Sequence, residues 1–202
     1  MHGRSLILAC GALAKEIVYL RAQLGEEAAN IDLQCLPADY HNTPEKIVPA
    51  LRDILTARAP EYAHVLIGYG DCGTGGGIDR MLSEFPNAAR LEGAHCYAFY
   101  AGLETFDQLM EEELGSFFLT DYLARHFDTV VWNGMGLDRM PELRGTYFNR
   151  YKRLVYLSQS QDPAALSKAK MAAKKLELSF EHRPVGYGAL TPRIKAIAAR
   201  SP

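Results

Sequence analysis

Three cysteines stand where a thiol could bind a metal ion. Cys10, Cys72 and Cys96 each follow, within a few residues, a short apolar run that predicts a buried strand. Because the carboxyl ends of parallel strands meet at one edge of a sheet, we expect the three thiols to lie together. All three stand beside glycine or polar residues rather than inside apolar runs. This placement favours a shared metal site with three thiolate ligands over three inert buried cysteines.

Two kinds of metal centre are compatible with three thiolates. Zinc would need a fourth ligand, and His41, Asp71 and His95 are predicted to lie on the same rim of the sheet. A 4Fe–4S cluster held by three cysteines would leave one iron open to a substrate. The sequence leaves the choice between zinc and the cluster open. The three rim residues, together with Asp138, are the candidates for catalytic roles, although a histidine in a loop is more often a polar surface residue.

The surroundings of the cysteines also predict their ionisation. Cys10 and Cys72 precede predicted helix starts, where free backbone N–H groups and the helix dipole favour a thiolate.

Cys35 differs because it lies within the predicted strand Ile31–Leu36, between apolar neighbours. A buried free cysteine of this kind behaves as a small hydrophobic residue, so Cys35 is expected to stay outside the group.

The loop that carries Cys72 supports an alternative function. Gly68, Gly70 and Gly73 follow a predicted strand and precede a predicted helix, which is the arrangement of a dinucleotide-binding fingerprint. Glu92 follows the next strand, where an acid that binds a ribose would lie. An aspartate inside the loop, Asp71, would repel a pyrophosphate, so binding of a nucleotide or of S-adenosylmethionine is the second hypothesis.

Two further acids are candidates for catalysis. Asp138 follows a predicted strand and is expected at the same rim as the cysteines, whereas Asp121 lies within a predicted helix. For either residue, a role as a helix cap or a surface charge is at least as compatible with the sequence as catalysis.

These residues are positioned by alternating strands and helices. The pattern predicts one α/β domain over residues 1–202, with a mostly parallel, Rossmann-like sheet covered by helices on both faces. Residues Phe106–Phe127 are expected to be mostly helical, with a break near Gly115. The predicted strands are Ser5–Ala9, Ile31–Leu36, His64–Ile67, Ala89–Leu91, Thr129–Trp132, Arg153–Leu157 and Leu178–Arg183.

Composition excludes several classes of protein. The formal net charge of −2 gives no general attraction to nucleic acid or to an anionic membrane. Four cysteines spread over 202 residues do not resemble a disulfide framework. The apolar run before Cys10 is too short for a secretory signal, so a cytoplasmic location is expected. One group of lysines has the spacing of a solvated helix face, namely Lys168, Lys170, Lys174 and Lys175.

Several short motifs resemble the DUF1638 family, an uncharacterised family of bacteria and archaea, and the resemblance extends over nearly the whole chain. Members of that family are often encoded beside corrinoid-dependent methyltransferases of the trimethylamine methyltransferase type. The resemblance therefore implies a role in one-carbon metabolism, with a corrinoid protein or a methyltransferase as partner, but supplies no reaction. The motifs are Ala9-Cys10-Gly11-Ala12-Leu13 with Glu16, Gly68-Tyr69-Gly70-Asp71-Cys72-Gly73, His95-Cys96-Tyr97, Leu119-Thr120-Asp121 and Gly136-Leu137-Asp138.

Overall fold

The strands form two parallel sheets, not the single sheet that the sequence predicts. The structure is a computed structural model that describes residues 3–200. It divides into two compact units, Met1–Phe99 with Ala189–Pro202, and Tyr100–Gly188. Each unit has one sheet with helices packed on it, which confirms the α/β class and the parallel strands. The single-domain organisation stays a prediction, because a compact unit need not fold independently.

The first unit contains a four-stranded sheet in the order β2-β1-β3-β4, in which all neighbouring strands are parallel. Its central strand β1 reads Ser-Leu-Ile-Leu-Ala-Cys and is buried along almost all of its length, as expected for a strand covered on both faces. The elements are β1 Ser5–Cys10, α1 Ala14–Leu24, β2 Ile31–Leu36, α2 Ile47–Arg58, β3 His64–Gly68, α3 Gly77–Leu82, β4 Ala88–Arg90 and, from the C-terminal segment, α9 Leu190–Ala199.

One continuous core joins the sheet to the helices α2 and α3. Leu6 and Leu8 of β1 pack with Val65 and Ile67 of β3, and with the apolar faces of α2 and α3. Helix α1 contacts α9. Pro49 lies in the first turn of α2, where its missing N–H is not needed, so it does not interrupt the helix.

The second unit contains a three-stranded parallel sheet in the order β5-β6-β7. Short 3-10 helices occur only in the first unit among the described residues, at Gly11–Leu13, Gly25–Ala28, Ala38–Asn42, Pro44–Lys46 and Ala59–Glu61. The division between the units falls within the short helix α4, Tyr97–Ala101. The remaining elements are α5 Leu103–Glu112, β5 Ser116–Leu119, α6 Asp121–Arg125, the π-helix Phe127–Asn133, α7 Leu143–Phe148, β6 Arg153–Ser158, α8 Pro163–Leu176 and β7 Ser179–Pro184.

One predicted element of this unit is incomplete and another is wrong. The stretch expected to be mostly helical does contain the helices α5 and α6 with a break at Gly115 between them. That break also contains the strand β5, which begins after Gly115, where a Cβ atom would stand 2.6 Å from the Arg150 carbonyl oxygen. The predicted strand Thr129–Trp132 is instead part of the π-helix, and the Leu137 amide donates to the Trp132 carbonyl oxygen at 2.9 Å. The β-branched residues there pack inward from a helical turn, because tertiary context overrides a short strand preference.

No helix within residues 3–200 is both long enough and apolar enough to cross a membrane.

Candidate functional site

Two of the predicted cysteines flank the point where the strand order of the first sheet reverses. The chain runs from β1 outward to β2, and then returns to place β3 on the other side of β1. Cys10 is the last residue of β1, and Cys72 lies four residues beyond the end of β3. In parallel sheets this reversal opens a crevice at the carboxyl ends of the strands, which is where ligands bind. Cys10 packs against the same core cluster that contains Cys72.

The loop that carries Cys96 is fastened to the loop that carries Cys72. The Asp71 amide donates to the Gly93 carbonyl oxygen at 3.1 Å, and the Cys72 amide donates to the Ala94 carbonyl oxygen at 2.9 Å. A Cβ atom on Gly70 would stand 2.9 Å from the Gly93 oxygen, so glycine is required for this close approach. Backbone pairing between the loops therefore brings Cys96 to Cys72.

The ionisation of the three thiols shows that they are neighbours. Burial, and then the Cys10 thiol, raise the pKa of Cys72 to about 11. Burial, followed by Cys72 and Cys10, raises the pKa of Cys96 well above its ordinary value. Since one thiolate disfavours another only at short range, and since the Cys72 and Cys96 loops are hydrogen-bonded to each other, the three cysteines lie within electrostatic range of one another.

The predicted lowering of the cysteine pKa values is wrong. Burial also raises the pKa of Cys10, although the Ala12 amide donates a hydrogen bond to its sulfur and acts in the opposite direction. The thiols do receive backbone N–H groups, as expected, but the loss of water around them has the larger effect. The raised pKa values therefore favour thiols over thiolates at neutral pH, so these cysteines are not activated nucleophiles.

The sequence reasoning missed Tyr69, which lies between two glycines of the same loop. The residue is 2% exposed, and its buried hydroxyl has no hydrogen-bond partner of ordinary geometry within the described part of the chain. Burial, and then Cys10, raise the pKa of this phenol, with smaller contributions from Cys72 and Cys35. In the sequence, the one indication that this side chain is buried is its position as a bulky residue between Gly68 and Gly70.

Cys72 also has an unusual backbone conformation. Its φ angle is +49°, in the left-handed region that residues other than glycine rarely adopt. Such a conformation costs about 1–3 kcal/mol and tends to occur at functional sites. Cys72 therefore stands at a position whose backbone conformation glycine would adopt with less strain.

Cys35 differs from its predicted environment. It is only half-buried, because β2 is the edge strand of the sheet. Its partner in the sheet register is Ala9, so it lies beside Cys10, and burial followed by Cys10 raises its pKa. Neither Cys72 nor Cys96 contributes to that rise. Of the three predicted ligands, Cys35 therefore adjoins Cys10, and it also influences Tyr69.

The two histidines predicted at the rim are near each other at the surface. His41 and His95 are both exposed residues. Partial burial by surrounding protein, followed by the proximity of His95, lowers the pKa of the His41 imidazole. The His95 ring lies 6.1 Å, between ring centroids, from the ring of Tyr97, the residue after Cys96.

Asp71 has a structural role within the glycine loop. Its carboxylate accepts hydrogen bonds from the Thr74 hydroxyl at 3.0 Å and from the Gly75 and Gly76 amides at 3.1 and 2.6 Å. The Gly76 amide is the largest of the influences that lower the pKa of this carboxyl group.

The same contacts count against a phosphate site in this loop. The amides of Asp71 and Cys72 donate to the neighbouring loop, and those of Gly75 and Gly76 donate to the Asp71 carboxylate. The protein's own carboxylate thus occupies the position that a phosphate would need. Glu92, the predicted ribose ligand, is exposed and pairs with Arg193 at 3.1 Å.

The two candidate acids of the second unit differ sharply. Asp121, the first residue of α6, is 1% exposed and accepts a hydrogen bond from the Tyr156 hydroxyl at 2.6 Å. Further donors are the Gln159 and Ser160 amides, both at 3.1 Å, and the Ser160 hydroxyl at 2.5 Å. This carboxylate joins the carboxyl end of β5 to that of β6. Asp138 is exposed in a turn, because the strand expected before it is absent.

The donor atoms of the cysteine group do not form a closed ligand set. Over residues 3–200, no group of three or more histidine, cysteine, aspartate or glutamate side chains is arranged so that it could hold a metal ion. The chemistry of the group does suit a soft metal, since soft metals prefer thiolate ligands and three cysteines lie near one another.

Comparison with known proteins identifies one family. The model of DUF1638, described as a protein of unknown function, matches residues 35–194. The matched segment includes Cys72 and Cys96 but not the segment around Cys10, so it is shorter than the resemblance predicted from the motifs. Neither the curated proteins nor the solved structures contain a match to this chain.

Proposed function

We propose that this chain, which belongs to the DUF1638 family, is a metal-binding protein. The description of that family assigns no function. Cys10, Cys72 and Cys96 are the proposed ligands. The observation that supports the proposal is the proximity of these three thiols, two at the strand-order reversal of a parallel sheet and the third on a loop hydrogen-bonded to the Cys72 loop. Three strand-end segments, far apart in sequence, contribute one thiol each.

Packing alone gives no reason for this arrangement. Cys72 adopts a left-handed backbone conformation, which glycine would adopt without strain. The three thiols have raised pKa values, so they stay protonated at neutral pH unless a cation replaces their protons. A metal ion would be held by the thiolates that this replacement creates.

Metal binding requires the thiols to move closer together, because no ligand group within residues 3–200 is arranged to hold a metal ion. Two features make such a movement feasible. The Cys72 loop contains glycines at positions 70, 73 and 75–77, which permit backbone adjustment. Cys96 lies in a loop and not within a strand or a long helix. His41 or His95 at the rim, or the Tyr69 hydroxyl, are the candidates for a further ligand.

The metal is proposed to be zinc or a 4Fe–4S cluster, and the group would act as a Lewis acid toward a thiol or a methyl acceptor. Whether the protein is itself an enzyme or an accessory protein depends on its partner. As partner we propose a corrinoid protein or its methyltransferase, on the gene association that the family resemblance implies. Binding of a nucleotide or S-adenosylmethionine remains the alternative, but the filled amides of the glycine loop argue against it.

Anaerobic reconstitution tests this proposal. The protein is expected to retain either about one zinc ion or about four irons with sulfide after incubation with each metal and gel filtration. Elemental analysis gives the stoichiometry, and a broad absorption band in the blue region distinguishes the cluster from colourless zinc protein. Purified protein that retains neither metal in stoichiometric amount would refute the proposal.

A further inference from the structure

A groove in the second unit is used by neither the fold nor the cysteine group. It lies between residues 124–129 and helix α8, and its volume is about 790 Å³. Its floor is apolar and buried, formed by Ala124, Phe127 and Ala172. Met171, which is 68% exposed, lies at its edge and supplies a flexible apolar surface.

The rim of the groove carries three lysines. Lys168, Lys174 and Lys175 are exposed on α8, and Arg125 faces them from α6. Arg125 is paired with Asp121 and Asp162, and Lys175 with Asp128, so the positive charge open to a ligand comes chiefly from Lys168 and Lys174. The whole chain has a formal charge of −2, so the concentration of positive charge is local. The lysine spacing alone fits an ordinary solvated helix face. In the structure, however, this face of α8 forms one side of a groove, and residues 124–129 form the other side.

A rare backbone form lies along one wall of this groove. The π-helix Phe127–Asn133 runs for seven residues, and π-helical turns occur frequently at functional sites. It presents Trp132, the only tryptophan in the chain, to Lys175. The Lys175 ammonium group lies 4.0 Å from the centroid of the indole ring and 2.6 Å from an Asp128 carboxylate oxygen.

We propose that this groove binds a small organic anion, with a phosphate or carboxylate group on an apolar body. The lysines would receive the acidic group, and the buried floor would receive the apolar part.

The size of the groove favours a small molecule over a protein. Its volume is within the usual range of about 300–1,000 Å³ for small-molecule sites. Its eleven lining residues are fewer than the roughly 20–30 that one side of a stable protein interface contributes.

Titration of the Trp132 fluorescence tests the proposal. Phenyl phosphate and phenylacetate are the probes, and the stronger of the two identifies the preferred acidic group. At least one of them is expected to change the emission in a saturable manner, and to bind more weakly as salt is added. Inorganic phosphate lacks the apolar body and benzyl alcohol lacks the charge, so both should bind at least about tenfold more weakly.

Matched variants of α8 separate this groove from general attraction to lysines. The double variant Lys168→Gln and Lys174→Gln should weaken probe binding by roughly tenfold. It leaves Lys175 on the indole ring, so the emission stays comparable. Lys170→Gln is the control, because Lys170 is exposed on the same helix but does not line the groove. Calorimetry on the same samples detects binding that leaves the emission unchanged. Absence of saturable binding, or equal losses in both variants, would overturn the proposal.

Discussion

Metal affinity should rise with pH by about a thousandfold per pH unit in the neutral range. The reason is the raised pKa of all three proposed ligands, which keeps Cys10, Cys72 and Cys96 protonated at neutral pH. A metal ion must displace one proton from each thiol, and each displaced proton contributes a factor of ten per pH unit. The slope should persist through the neutral range, because the pKa of each of the three thiols is raised above its ordinary value.

Competition against a chelator of known pH dependence measures this slope, and calorimetry in two buffers of different ionisation enthalpy counts the released protons. Cys35→Ser is the matched control and should give the same slope, since Cys35 adjoins only Cys10 among the three proposed ligands. A slope near one, or release of a single proton, would contradict coordination by three thiolates.

Replacement of Asp121 by alanine should lower the free energy of unfolding by about 3–5 kcal/mol. The carboxylate is almost fully buried and accepts hydrogen bonds from Tyr156, from two consecutive backbone amides and from the Ser160 hydroxyl. Arg125 contacts it at 3.2 Å. Removal of the carboxylate leaves these buried donors without an acceptor at the carboxyl ends of β5 and β6, because the alanine methyl group cannot accept a hydrogen bond.

Urea denaturation of the metal-free protein measures this effect. Asp138→Ala is the control, because the Asp138 side chain is 42% exposed and its contact with Arg139 is 4.0 Å long. The control should change the free energy of unfolding by less than about 0.5 kcal/mol. Equal losses in the two variants would show that the Asp121 network does not stabilise the second unit.

The first sheet could be predicted closely from the sequence. The runs that form β1, β2 and β3 are short, apolar and bounded by turn residues, so each was assigned to within one residue at either end. The same reasoning failed for β5 and the π-helix. Both segments combine aromatic or β-branched residues with helical neighbours, and their state depends on packing that local sequence does not encode.

The positions of the three cysteines in the fold could be predicted, but the ionisation of their thiols could not. Strand-end positions follow from topology, which is why Cys10, Cys72 and Cys96 could be assigned to one edge. The direction of their pKa shifts depends on how deeply tertiary packing buries each sulfur, and that depth has no signature in the sequence. The same holds for Tyr69, whose burial to 2% exposure has no signature in the local sequence.

The metal content of four single cysteine variants, loaded anaerobically beside the wild-type protein, tests the central claim most directly. A serine hydroxyl cannot replace a thiolate ligand at neutral pH, so Cys72→Ser should lose nearly all of the bound metal. Cys10→Ser and Cys96→Ser should lose it to the same extent, because a shared site fails when any one ligand is missing. Cys35→Ser should retain the metal. If Cys35→Ser loses metal as readily as the other three variants, or if those three retain it, the three-cysteine site does not exist.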